Sequence, residues 1–165
     1  KGVFLSNIFG GGDQEGGLRP GTENLPEILK FSKALQLAQK IKEKEAGRLN
    51  KLRNYFIDKI LKNSEIMVNG DRENRLPNNI NITIPNIPSD LLVIELSEKG
   101  IMASAKSACK SGDAHASYVI EAINPRIKKE DGSLRFSLGR GTTKKDIDDT
   151  IEALSLILTK LKKWY

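Results

Sequence analysis

The sequence is poor in the residues that build covalent or metal-held frameworks. It has one cysteine, Cys109, and one histidine, His115, among 165 residues. A lone cysteine excludes an intrachain disulfide framework and suits a reducing, cytoplasmic setting. One cysteine and one histidine fall short of the usual zinc ligand set, so no metal is expected. Aromatic residues make up only 5% of the chain, and few stand among the basic ones. The net charge of +6, with lysine and glutamate alternating in KIKEKEAGR, therefore reads as a solvated basic surface. No nucleic-acid partner is expected. No apolar run approaches the ~20 residues that span a bilayer, and no signal-peptide pattern is present, so no membrane association is expected either. An initial methionine is also lacking: the chain opens Lys1-Gly2-Val3, as expected of a processed or cleaved polypeptide.

What is present is ordinary for a folded domain. With 38% hydrophobic residues, the chain is long enough to bury one core. A single domain is expected over 1–165, with a glycine-rich segment at 1–24 and long helices at 25–63. An α+β core would follow over 64–165, with a cysteine loop at 104–114. After Thr22, the residues Ile28, Phe31, Leu35, Ala38 and Ile41 recur at helical spacing, and Pro26 fits the first turn. The pattern resumes through Leu49, Leu52, Phe56 and Ile60, so Gly47 is expected to mark a break between two helices.

Beyond these helices, EIMVNG reads as a short strand. NNINITIP alternates Ile80, Ile82 and Ile84 with Asn81 and Thr83, as a half-buried strand does. Asp90 is expected to cap the helix LLVIELSEKG, which Gly100 would end. IMAS reads as a brief strand and ASYVIEAI as a helix. GSLRFSLG alternates Leu134, Phe136 and Leu138 with Arg135 and Ser137. Thr143 and Asp146 have capping-box spacing before a last helix that would bury Ile147, Ile151, Leu154, Leu158 and Leu161. Helices covering one face of a short, largely antiparallel sheet are the expected architecture.

Three stretches carry chemistry. Cys109 lies in KSACKSGDAH, among small residues and between Lys106 and Lys110. That setting favours a thiolate, although the local chemistry fits an inert thiol as well. His115 reads as a surface histidine near a helix start. Arg135, on the polar face of a strand, suits two-pronged capture of a carboxylate; Arg140 could do the same or simply lie at the surface. FGGGDQEGGLRPGTEN sets Arg19, Gly21 and Thr22 just before a helix, where N–H groups and a hydroxyl can meet an anion. It is not a Walker A loop, because no Gly-Lys-Ser/Thr follows. It does not meet the dinucleotide fingerprint either, because no strand–helix–strand unit surrounds it.

Together, GGGDQEGGLRPGTENLPEI, SAKSACKSG and LRFSLGRGTTKKDID resemble, in order and spacing, the C-terminal third of cysteine desulfurases. These are class V aminotransferase-like enzymes that depend on pyridoxal 5'-phosphate. The resemblance implies the small C-terminal domain of a fold-type I transferase, with the large cofactor-binding domain absent from this chain. It implies that L-cysteine becomes L-alanine while sulfur passes as a persulfide to iron–sulfur scaffold or sulfur-carrier proteins, or into tRNA thiolation.

By the same resemblance, Cys109 is the catalytic cysteine and Arg135 holds the substrate carboxylate. Gly21 and Thr22 reach across a homodimer to the cofactor phosphate of the other subunit. The family's cofactor-binding lysine follows a histidine in a segment upstream, and this chain has no His-Lys pair. The isolated chain is therefore expected to be inactive and to bind no cofactor covalently. Three departures stand out: Asp13 is one extra residue, Lys106 replaces a usual glycine, and Gly141 replaces a usual phenylalanine. The alternatives are another class V transferase, selenocysteine lyase-like or aminotransferase-like, or a stand-alone sulfur-acceptor or binding module.

Overall fold

The computed structural model describes residues 2–105, 118–125, 127–128 and 131–163. Cys109, His115, Lys106 and Lys110 lie outside the described residues. The chain divides into two compact units, residues 1–42 and 43–165.

In the first unit, a short 3-10 turn at Gln14–Gly17 precedes α1 (Leu25–Ile60). The turn is possible because glycines supply the left-handed backbone: Gly16 has φ 65° and Gly17 φ 78°. Asn24 Oδ1 accepts from the Glu27 N–H at 3.4 Å, one of the free donors at the helix start, and Pro26 falls in the first turn as expected. The predicted core stripe is not buried here. Ile28, Phe31 and Leu35 are exposed, Ala38 likewise, and Ile41 is half-buried. Helical spacing marks an apolar face but does not say what covers it.

The second unit contains the rest of α1, then β1 (Met67–Val68), β2 (Asn79–Ile84), α2 (Ser89–Glu98), β3 (Ser104–Ala105), α3 (Tyr118–Ile123), β4 (Gly132–Ser137) and α4 (Lys144–Leu161). The four strands form one sheet in the order β1-β2-β4-β3, and every pairing is antiparallel. The α+β class and the antiparallel sheet agree with the sequence reading. Gly47 does not break the helix, because α1 runs unbroken through it. A glycine in a helix interior costs only about 1 kcal/mol, which the packing of a long apolar stripe can offset.

Period-two alternation gives the sheet its two faces. Ile80, Ile82 and Ile84 of β2 and Leu134 and Phe136 of β4 point to one side and are buried. They join Phe56, Ile57 and Ile60 of α1, Leu92 and Leu96 of α2, and Leu154 and Ile157 of α4 in one core. Ile151 packs against that core but is only partly buried.

The ends of α2 show how local sequence sets boundaries. Asp90 is not its cap: Pro88 holds the N-cap position and Asp90 lies inside the first turn. Pro88 leads into the helix with extended backbone, so the helix starts two residues earlier than a cap at Asp90 would set it. At the other end Gly100 adopts φ 74°. Its N–H bonds to the Ser97 carbonyl and that of Ile101 to the Leu96 carbonyl, a Schellman ending. The predicted capping box of α4 is present, with the Asp146 N–H and Thr143 side chain paired and the Asp146 carboxylate accepting from the Thr143 N–H.

Candidate functional site

Arg135 stands on the polar face of the sheet, and the strand register defines its neighbours. Its cross-strand partners are Asn81 on β2 and Ser104 on β3. Residues directly opposite in an antiparallel pair share a face, so Asn81, Arg135 and Ser104 form a row across three strands. Arg135 is exposed, while Asn81 and Ser104 are half-buried. The Arg135 guanidinium reaches the Ser104 hydroxyl, with Nη2 3.5 Å from Oγ.

Below this row the polar face closes into a hydrogen-bonded floor. Asn69, Thr83 and Ser133 are buried polar side chains on it. Asn69 Nδ2 donates to Asn81 Oδ1 at 2.7 Å and lies 2.8 Å from Thr83 Oγ1. Ser133 Oγ donates to the same Asn81 oxygen at 3.2 Å. Buried polar groups that satisfy one another in this way form a rigid surface, since breaking one bond leaves its partner unpaired. The alternation in NNINITIP had marked Asn81 and Thr83 as a polar face, but nothing in the sequence linked them to Asn69 or Ser104. That link depends on which strands are neighbours.

Arg140, the second candidate arginine, is exposed in the turn after β4, and its carbonyl is held from α1. Arg48 of α1 donates to the carbonyls of Gly139 at 3.0 Å, Arg140 at 3.2 Å and Thr142 at 2.7 Å. The same guanidinium holds Glu45 at 3.0 and 2.8 Å. Those hydrogen bonds keep the Glu45 carboxyl below its ordinary pKa and raise that of Arg48. The turn leading from Arg135 into α4 is thereby tied to α1. A groove of about 800 Å³ lies between this turn, the 99–102 turn and α4, and Arg135 is not among its lining residues.

Gly21 and Thr22 lie in the first unit. Gly21 has φ 105°, and a Cβ there would stand 2.9 Å from Nη1 of Arg19. Its N–H donates to Gln14 Oε1 at 3.2 Å, and Thr22 is exposed. An N–H held by a neutral, exposed side chain can exchange that partner for an anion. The adjoining hydroxyl and guanidinium are also donors a phosphate takes. The left-handed backbone at Gly21, which favours glycine, and the Arg19 guanidinium beside it make a donor set whose chemistry suits a phosphate group. Cys109 lies outside the described residues, so it is placed by sequence alone. Among the described residues, no group of three or more His, Cys, Asp or Glu side chains could hold a metal. No helix among them is long and apolar enough to cross a membrane.

A sheet of this topology, with an arginine on its polar face and a glycine-rich segment before a long helix, has close counterparts. The family model for aminotransferase class-V matches residues 7–150, and the chain belongs to that family. Among curated relatives, it is 40% identical over 163 residues to a cysteine desulfurase IscS of Dictyoglomus turgidum. It is 41% identical over 162 residues to cysteine desulfurase IscS 1 of Archaeoglobus fulgidus. Each match takes in 98% of this chain, and the relatives are covered for 41% and 42% of their length. The chain thus spans about two fifths of these relatives. A solved structure of a NifS-like protein superposes with a TM-score of 0.80 at 29% identity, over 98% of this chain and 41% of the other. An X-ray structure of a NifS-like protein from Rickettsia africae ESF-5 gives 0.76 at 27% identity, over 95% of this chain and 41% of the other.

Proposed function

We propose that this chain is the small C-terminal domain of a cysteine desulfurase. In the full-length enzyme it supplies the nucleophile Cys109 and the carboxylate-binding Arg135. The observation that carries the reading is Arg135 itself, an exposed guanidinium on a strand whose polar floor is fully hydrogen-bonded. β4 pairs with β3, and the chain continues from β3 into the segment that contains Cys109. Likeness to cysteine desulfurases over 98% of the chain supports the same assignment.

The reaction moves one sulfur atom. The Cys109 thiolate attacks the sulfur of L-cysteine, an S–S bond forms, and the substrate Cβ–S bond breaks. The electron pair of that bond stays with the substrate carbon, which takes a proton and leaves as L-alanine. Cys109 is left as a persulfide, for transfer to an iron–sulfur scaffold or sulfur-carrier protein. Pyridoxal phosphate supplies the conjugated system that spreads the substrate's developing negative charge. Arg135 binds the substrate carboxylate and so fixes which end of the amino acid faces the sulfur acceptor. Gly21 and Thr22 would hold the cofactor phosphate, across a homodimer, and Arg19 would add positive charge beside them. Lys106, next but two to Cys109, favours the thiolate by its charge.

The cofactor's lysine belongs to the large domain in this reading, so the isolated chain is inactive. The exposed apolar side chains of the first unit accord with that. Phe4, Ile8, Phe9, Leu29 and Phe31 are all exposed, and in this reading the rest of a full-length dimer would cover them. We take the enzyme to be cytoplasmic, a reducing setting that suits a free thiol nucleophile.

The test is the full-length enzyme with L-cysteine, following alanine and protein-bound persulfide. Cys109→Ser should abolish persulfide and leave the bound cofactor's visible absorbance unchanged. Arg135→Ala should raise KM for cysteine about 10- to 100-fold, the worth of a charged hydrogen-bonded pair. Full persulfide transfer by the Cys109 variant would remove that residue from the mechanism.

A further inference from the structure

The direction in which Arg135 leans is decided by its neighbours, and the two sides of β4 are not equivalent. On the β2 side stands Asn81, whose Oδ1 already accepts from Asn69 at 2.7 Å and from Ser133 at 3.2 Å. A carboxamide oxygen has two lone pairs, so both are in use. What Asn81 can still offer is its amide N–H groups, and a guanidinium has only donors. Donors facing donors repel. On the β3 side stands Ser104, whose hydroxyl oxygen can accept, and Arg135 Nη2 lies 3.5 Å from it. The guanidinium therefore has an acceptor on one side and a spent one on the other.

We propose that Ser104 is a positioning residue for Arg135, holding the guanidinium over β3 while the Asn69–Asn81–Ser133 network bars it from β2. The inference rests on the reading of Arg135 as the carboxylate-binding group. One Nη bonded to Ser104 leaves the remaining donors of the fork for a carboxylate. The substrate is then drawn to the β3 edge of the sheet, the strand that precedes the Cys109 segment in the sequence. Without the hydroxyl, a free arginine side chain samples many rotamers and must be ordered anew each time substrate binds. Ordering one such side chain is worth a factor of about 2 to 10 in affinity. The distance, near the outer limit of a hydrogen bond, matches an effect of that size rather than a larger one.

The experiment uses the full-length enzyme with its cofactor. Ser104→Ala should raise KM for L-cysteine by about 3- to 10-fold with kcat within about twofold of wild type, and Ser104→Thr should restore KM. The dissociation constant for L-alanine, measured by calorimetry, should change in the same order, independently of turnover. In an Arg135→Lys background, Ser104→Ala should have no further effect, because the hydroxyl acts through the guanidinium. An unchanged KM in Ser104→Ala, no rescue by threonine, or an equal effect in the Arg135→Lys background would overturn the proposal. If Arg135→Ala itself leaves KM unchanged, the assignment of Arg135 fails; if it raises KM and Ser104→Ala does not, only the positioning role fails.

Discussion

Gly132 approaches the Ile87 carbonyl so closely that a Cβ built on it would stand 2.2 Å from that oxygen. Leu92 Cδ1 would lie at 2.9 Å and the Ser89 nitrogen at 3.2 Å. The start of β4 is thus pressed against the start of α2, and neither backbone can withdraw without moving the sheet. Gly132→Ala is expected to destabilise the second unit by about 1–3 kcal/mol, as overpacking does. A thermal melt of the full-length protein checks it, and an unchanged midpoint would mean that β4 enters the sheet by another path.

Phe56 of α1 and Phe136 of β4 meet with ring centroids 5.1 Å apart at an interplanar angle of 45°. Both rings are buried, and Phe136 is the neighbour of Arg135 on the opposite face. Phe56→Ala should cost about 3–5 kcal/mol, since the rigid sheet and α4 cannot close the cavity. Urea denaturation measures the loss; a cost under about 1 kcal/mol would show that the core refills.

Arg48 bonds three carbonyls of the 139–142 segment and the Glu45 carboxylate with one guanidinium. A lysine has no planar fork and cannot make this set at once. Arg48→Lys is expected to lower hydrogen-exchange protection at the Gly139 and Thr142 amides, whose partners lie within the same turn. Protection equal to wild type there would show that the turn holds itself.

The capping box of α4 makes a sharper pair of predictions. Thr143→Ala should destabilise by about 1 kcal/mol, the usual worth of an N-cap. The Asp146 carboxyl is held below its ordinary pKa by the Thr143 N–H first and the Thr143 hydroxyl second. Two N–H groups, of Asn74 and Glu73, lower Asp71 likewise, and Arg48 lowers Glu45.

A depressed carboxyl stabilises the fold fully above its unfolded pKa, and the gain is lost as pH falls through the folded value. Urea midpoints should therefore hold steady from neutral pH to about pH 5 and fall below about pH 4, where unfolded carboxylates protonate. Asp146→Asn should flatten part of that fall. A decline equally steep in this variant would place the acid sensitivity elsewhere.

Much of this protein follows from its sequence, because the physics that sets those features is local. Alternating isoleucines and asparagines force one face of β2 inward at any register. Gly100 ends α2 because a left-handed residue costs glycine nothing, and Thr143 caps α4 because its hydroxyl lies three residues from Asp146. The order of the three motifs was enough to expect the family to which the chain belongs. Where the local signal was weak, it misled. Gly47 looked like a break, but the helix propensity of one residue is small beside the packing of a long stripe. Asp90 looked like a cap, but Pro88 had already turned the chain.

The tertiary structure alone decided which residues share the site. Asn69, Asn81, Ser104, Ser133 and Arg135 are scattered over 67 positions of chain. They meet because β1 pairs with β2, and β2 and β3 both pair with β4. Strand order is a property of the whole core, chosen by which apolar faces bury best together, and no short window of sequence contains it. The same holds for the apolar side chains at the start of α1. Periodicity says that they form a face, and only the folded structure says that this chain's own core is elsewhere.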